Sequence, residues 1–194
     1  DQVIDFVKIL SEHSNLGIMF YNTPQFGIVL GADALGKICD IPSVVGVKEA
    51  SFNPEISIEA HQKIGSRSII STPDEWILFK GKELGFEQQV MFANTSDWRF
   101  DLPGNSSYVE FIDKAMRGDL DQQFYDENVK PIKSVSDKWW AHTVNKMNGV
   151  LPVAMCKYWG EVMGLKHGHV RAPISELSEE EKTQLKTEIK SILG

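Results

Sequence analysis

Hydrophobic positions change their period along the chain. Over residues 1–13, DQVIDFVKILSEH, the residues Val3, Ile4, Val7 and Leu10 recur at the spacing of one helical face. Four apolar runs of strand length follow, NLGIMFYN at 15–22, SVVGVKEA at 43–50, SRSIISTPD at 66–74 and QQVMFAN at 88–94. Helical patterns separate them: GADALGKICD at 31–40, NPEISIEAHQKIG at 53–65 and PDEWILFKGKELG at 73–85. Regular alternation of strand and helix is the mark of βα units on a parallel sheet. The runs are continuous and do not alternate with polar residues, which predicts strands covered on both faces.

From about residue 106 the strand pattern stops. Residues 106–118 and 121–147 read as helices, the second with Pro131 inside the pattern, and LPVAMCKYWGEVMGL follows at 151–165. The last helix opens with Ser178 and, three residues on, Glu181, a capping box. Its Leu185, Ile189, Ile192 and Leu193 form one apolar stripe. Residues 96–105, SDWRFDLPGN, are the one extended irregular piece expected. The expected division is therefore a βα part over 1–106 and a helical part over 107–194. Four parallel strands make an open sheet or half of a closed barrel. A whole (β/α)8 barrel takes about 250 residues, more than the 194 present.

Composition narrows the partners. With 42% hydrophobic and 24% charged residues, a packed core is expected and disorder is not. A net charge of −7 argues against nucleic acid and anionic membrane surfaces as partners. No run approaches the roughly 18 apolar residues of a membrane span. Cys39 and Cys156 lie far apart, so a disulfide framework or zinc ribbon is not expected, and reduced thiols in a cytoplasmic protein are. The chain shows no signal-peptide pattern, lacks an initiating Met and opens inside a helical pattern, which leads us to expect a piece of a longer protein.

Functional residues of parallel α/β folds gather at the carboxyl ends of strands. Here those ends are Tyr21-Asn22, Lys48-Glu49, Ser71-Thr72 and Ala93-Asn94. Lys48 closes one of the most apolar strands. In a dry setting the ammonium form of a lysine is disfavoured, and the neutral amine condenses with a ketone to a Schiff base. The protonated imine is an electron sink for the adjacent C–C bond, and a tyrosine hydroxyl can shuttle the protons. The residues alone leave a plainer alternative open, an ion pair of Lys48 with Glu49.

FYNTP at 20–24, followed after a helix by VVGVKEAS at 44–51, resembles the dihydrodipicolinate synthase / N-acetylneuraminate lyase family of class I pyruvate aldolases. The family pattern is Tyr-Asn-x-Pro at one strand end and Gly-x-Lys-Glu at the next. HVRAPISELSEEEK resembles its closing Arg-x-Pro segment. The resemblance implies an α/β fold, the C-terminal portion of a (β/α)8 TIM barrel, about strands 5–8, plus a C-terminal helical tail. It implies a lyase in which Lys48 forms an imine with pyruvate or another 2-oxo acid and Tyr21 relays protons. No metal or organic cofactor is expected, because the lysine supplies the electron sink. The implied partners are a small 2-oxo acid and an aldehyde, with homo-oligomers, dimer or tetramer. The N-terminal half of the barrel, with its Gly-Thr-Thr-Gly-Glu carboxylate-binding segment, is needed as well.

Departures from the family pattern bear on the substrate. Gln25-Phe26-Gly27 stand where the lysine-pathway synthases usually carry an Arg. Thr72-Pro73-Asp74 replace a frequent Gly-Asp-Asp, and Gln89 stands where an aliphatic residue is common. Thr72, Gln89, Asn94, Trp98 and Arg99 are the candidate substrate-binding residues. Arg99 either anchors a carboxylate or is a solvated loop charge; Trp76 and Trp98 either line a pocket for a bulky aldehyde or pack the helix layer. His167 and His169 read as surface residues in a turn, since a metal site would need a third ligand. The competing functions are 4-hydroxy-tetrahydrodipicolinate synthase proper, a sugar-acid dehydratase or, from a different class, a degenerate barrel used for binding or assembly.

Overall fold

A computed structural model describes residues 1–72, 74–91 and 100–194. The chain divides into two compact units, 1–94 and 95–194.

The first unit runs α1 (Gln2–Glu12), β1 (Ile18–Asn22), α2 (Ala32–Cys39), β2 (Val44–Glu49), α3 (Pro54–Ile64), β3 (Ile69–Thr72), α4 (Glu75–Lys80) and β4 (Val90–Met91). The strands form one parallel sheet in the order β1-β2-β3-β4. Local sequence explains where the helices begin. Asn53 caps α3 by accepting from the Glu55 and Ile56 N–H groups, and Pro54 follows at the first helical position, where its missing N–H costs nothing. Asp74 caps α4 in the same way, accepting from Trp76 and Ile77. The core lies between sheet and helices, where Leu35, Ile38, Val47, Ile64 and Ile70 are wholly buried. Burying each such side chain is worth about 1.5–3 kcal/mol.

Gly46 has a steric reason for its place in β2. A Cβ there would lie 2.2 Å from the carbonyl oxygen of Ile69, so only glycine lets β2 and β3 approach this closely. Among the described residues, helices cover one face of the sheet, and Met19, Val45 and Ile69 remain 47%, 47% and 39% exposed. In a closed barrel that second face packs against strands from across the barrel, which explains why the runs carry no polar alternation. The helix expected over 73–85 stops at Lys80 and continues as turns through Gly81 and Gly85, the latter at φ 78°. Gly81 is pressed by the Gln89 side chain, which would meet a Cβ at 2.3 Å.

The second unit is helical: α5 (Ser107–Arg117), α6 (Gln122–Asn128), α7 (Lys130–Lys146), α8 (Val153–Val162) and α9 (Glu179–Leu193). The pattern over 121–147 is two helices, because Pro131 fits the first turn of α7 and would break an unbroken helix. Residues 163–178, between α8 and α9, form a long irregular segment that was not expected, while of the one expected over 96–105 residues 96–99 lie outside the described residues. The capping box is present, with Ser178 and Glu181 bonded reciprocally. Trp139 donates its indole N–H to Glu188 at 2.9 Å and Lys138 bonds the same carboxylate, tying α7 to α9. No helix among the described residues is long and apolar enough to cross a membrane.

Candidate active site

Parallel pairing of β1 with β2 sets Tyr21 directly beside Lys48, one residue from each strand's carboxyl end. The Lys48 Nζ lies 4.0 Å from the centre of the Tyr21 ring, a cation–π distance, and both residues are half-buried. Two residues 27 apart in sequence thus share one spot, on the sheet face that the helices leave uncovered.

The next register pair is Asn22 with Glu49, and both are fully buried. Successive strand residues point to opposite faces, so Glu49 turns into the helix layer and away from Lys48. This removes the ion pair considered from sequence. The Glu49 carboxylate instead accepts from Asn22 Nδ2 at 3.2 Å, from the Ser51 N–H at 2.9 Å and from the Ser57 hydroxyl of α3. Asn22 also brackets the backbone of Leu30, receiving its N–H at 2.9 Å and donating to its carbonyl at 3.0 Å. The loop after β1 is thereby fastened to the strand end.

At the end of β3, Thr72 is fully buried and its Oγ1 lies 2.9 Å from His61 Nε2 of α3. His61 stacks on Phe86, with ring centres 4.1 Å apart, and burial pulls its pKa down to about 4. The expected substrate-binding role of Thr72 meets a hydroxyl turned toward the helices. Gln89 stands just before β4, close to the level of Lys48 in the strand register, but its side chain turns to α4. Its Nε2 donates to the Leu78 carbonyl at 3.2 Å. Neither is brought to the Lys48–Tyr21 pair. Asn94, Trp98 and Arg99 lie outside the described residues. Trp76 is 44% exposed on α4, and His169 sits on the surface beside Glu176 at 3.2 Å. Sequence reasoning named Asn22 only as a strand end and missed the buried Ser57 and His61. The available signal was Ser57 and His61, four residues apart on the otherwise apolar buried face of α3.

The sequence model of the dihydrodipicolinate synthetase family matches residues 2–192. The chain belongs to that family. It is 24% identical over 191 residues to a 4-hydroxy-tetrahydrodipicolinate synthase of Archaeoglobus fulgidus, covering 95% of this chain and 58% of that one. A 4-hydroxy-tetrahydrodipicolinate synthase 1 of Halalkalibacterium halodurans is 26% identical over 183 residues, covering 94% and 56%. The chain therefore spans under two thirds of the length of these relatives. Among solved structures, dihydrodipicolinate synthase of Thermotoga maritima superposes with a TM-score of 0.71 at 19% identity, over 97% of this chain and 60% of that one. N-acetylneuraminate lyase of Proteus mirabilis superposes at 0.69 and 17% identity, over 99% and 60%. The four parallel strands and their helices are thus the C-terminal portion of a (β/α)8 barrel, as the alternation and the two strand-end motifs led us to expect.

Proposed function

We propose that the protein is a Schiff-base-forming class I aldolase or lyase acting on pyruvate or another 2-oxo acid. The observation that carries this is the Lys48 Nζ held 4.0 Å from the Tyr21 ring on adjacent strand ends of a chain in this family. Lys48 Nζ adds to the ketone carbon, the carbonyl oxygen leaves as water, and the resulting imine accepts the electrons of the neighbouring bond. The Tyr21 hydroxyl carries the protons these steps take up and release. The lysine supplies the electron sink, so no metal or organic cofactor takes part.

Residues 1–106 contribute the C-terminal half of the barrel, and 107–194 its last helix and a helical extension. The remaining strands come from the rest of a longer polypeptide or from another chain, and the complete protein forms a homo-oligomer in the cytoplasm. The exposed Gln25, standing where the lysine-pathway synthases have an Arg, favours an aldehyde partner other than that pathway's substrate.

The test is to incubate the intact protein with pyruvate and borohydride and weigh it. A mass gain of pyruvate plus two hydrogens less water, lost in Lys48→Ala, supports the assignment. No adduct with any 2-oxo acid leaves the degenerate barrel as the better account.

A further inference from the structure

Directly behind the Lys48–Tyr21 pair lies an enclosed polar set that the chemistry above does not use. Asn22 and Glu49, each one residue beyond a reactive side chain, are both wholly buried. A carboxyl group inside an apolar layer is unfavourable unless its oxygens are bonded, and an aliphatic side chain would fill the space at less cost. The bonds that Glu49 collects come from three different pieces of backbone: Asn22 at the end of β1, the Ser51 N–H just past β2, and Ser57 on α3.

On the other side of this strand end the β2–β3 register runs over Gly46 and Val47, and past it the Glu49 N–H donates to the Ser71 hydroxyl at 3.0 Å. Lys48 therefore projects between the last β2–β3 register pair and a bond made by a side chain.

We propose that Asn22, Glu49 and Ser57 are positioning residues that fix the height and direction of Lys48 relative to Tyr21, a role that rests on the imine-forming reading above. Glu49 links β2 to α3 through Ser57 and to β1 through Asn22, so a shift of any one would tilt the reactive pair. A displacement of about 1 Å at a reacting atom costs on the order of a hundredfold in rate. The geometry calls for acceptor oxygens at residue 49 and a hydroxyl at residue 57.

The experiment measures borohydride-trapped imine against pyruvate concentration in the intact protein, for the wild type, Glu49→Ala, Ser57→Ala and Glu49→Gln. In the alanine variants, folded by circular dichroism, the saturating rate should fall by about tenfold or more while the half-saturating pyruvate concentration moves by less than about twofold. Glu49→Gln keeps an acceptor for Asn22 and Ser51 and should restore the rate to within about threefold. Folded alanine variants with the wild-type rate overturn the inference alone. So does failure of both to fold, which assigns the network to stability. A wild type that traps no 2-oxo acid overturns the imine reading, and this inference with it.

Discussion

Lowering the pH from 7 to 5 should weaken the folded protein by about 2 kcal/mol through His61 alone. The ring is 2% exposed, and burial holds its pKa at about 4 against 6.5 in a solvated chain. Its Nδ1 is enclosed with no hydrogen-bond partner among the described residues, so a proton there would be an N–H with no acceptor. The folded state thus resists a proton that the unfolded state accepts. The contribution is fully present above pH 6.5, fades as the pH falls toward 4, and is constant below. Titrating both states between those values gives about 2 kcal/mol lost by pH 5 and about 3 kcal/mol by pH 4. Carboxylates elsewhere add their own dependence, so the comparison is with His61→Gln, which can still bond the Thr72 hydroxyl. Urea unfolding of both proteins at pH 7 and pH 5, followed by circular dichroism, gives the difference. Parallel pH profiles, or a His61 ring proton titrating near pH 6.5 by NMR, would refute the reasoning.

Other expectations follow from single contacts. Gly46→Ala forces β2 from β3 and should cost about 1–3 kcal/mol in urea unfolding, whereas a neutral effect would mean the strands are not this close. Ser178→Ala removes one half of the α9 capping box and should lower stability by about 1 kcal/mol, read from the same kind of curve. Tyr21→Phe keeps the ring beside Lys48 and deletes the hydroxyl. It should leave imine trapping measurable and lower turnover by about 100- to 10,000-fold, and unchanged turnover would exclude Tyr21 as the proton carrier.

The fold was legible where the sequence pattern had one physical cause. Apolar runs closed by polar residues marked β1 to β3, and the Asn53-Pro54 and Ser178…Glu181 signals marked where α3 and α9 begin. Lys48 and Tyr21 could be paired because both close their runs and adjacent parallel strands bring such ends together. Side-chain direction was harder to read. Whether Thr72 faces the mouth or the helices depends on the pleat, and one residue of shift inverts it. Gln89 missed the site for the same reason, its side chain turning to the Leu78 carbonyl of α4. The buried triplet of Asn22, Glu49 and Ser57 was hidden for a different reason. Each residue type is ordinarily exposed, and only the packing of α3 against two strand ends encloses all three.

The central claim is that Lys48 itself forms the imine, and a peptide map tests it most directly. Trypsin should release residues 49–63 from untreated protein by cutting after Lys48. After treatment with pyruvate and borohydride, a secondary amine at Lys48 should block that cut and yield residues 38–63 as one peptide carrying the reduced adduct. An adduct on any other lysine, with residues 49–63 released as before, would contradict the account.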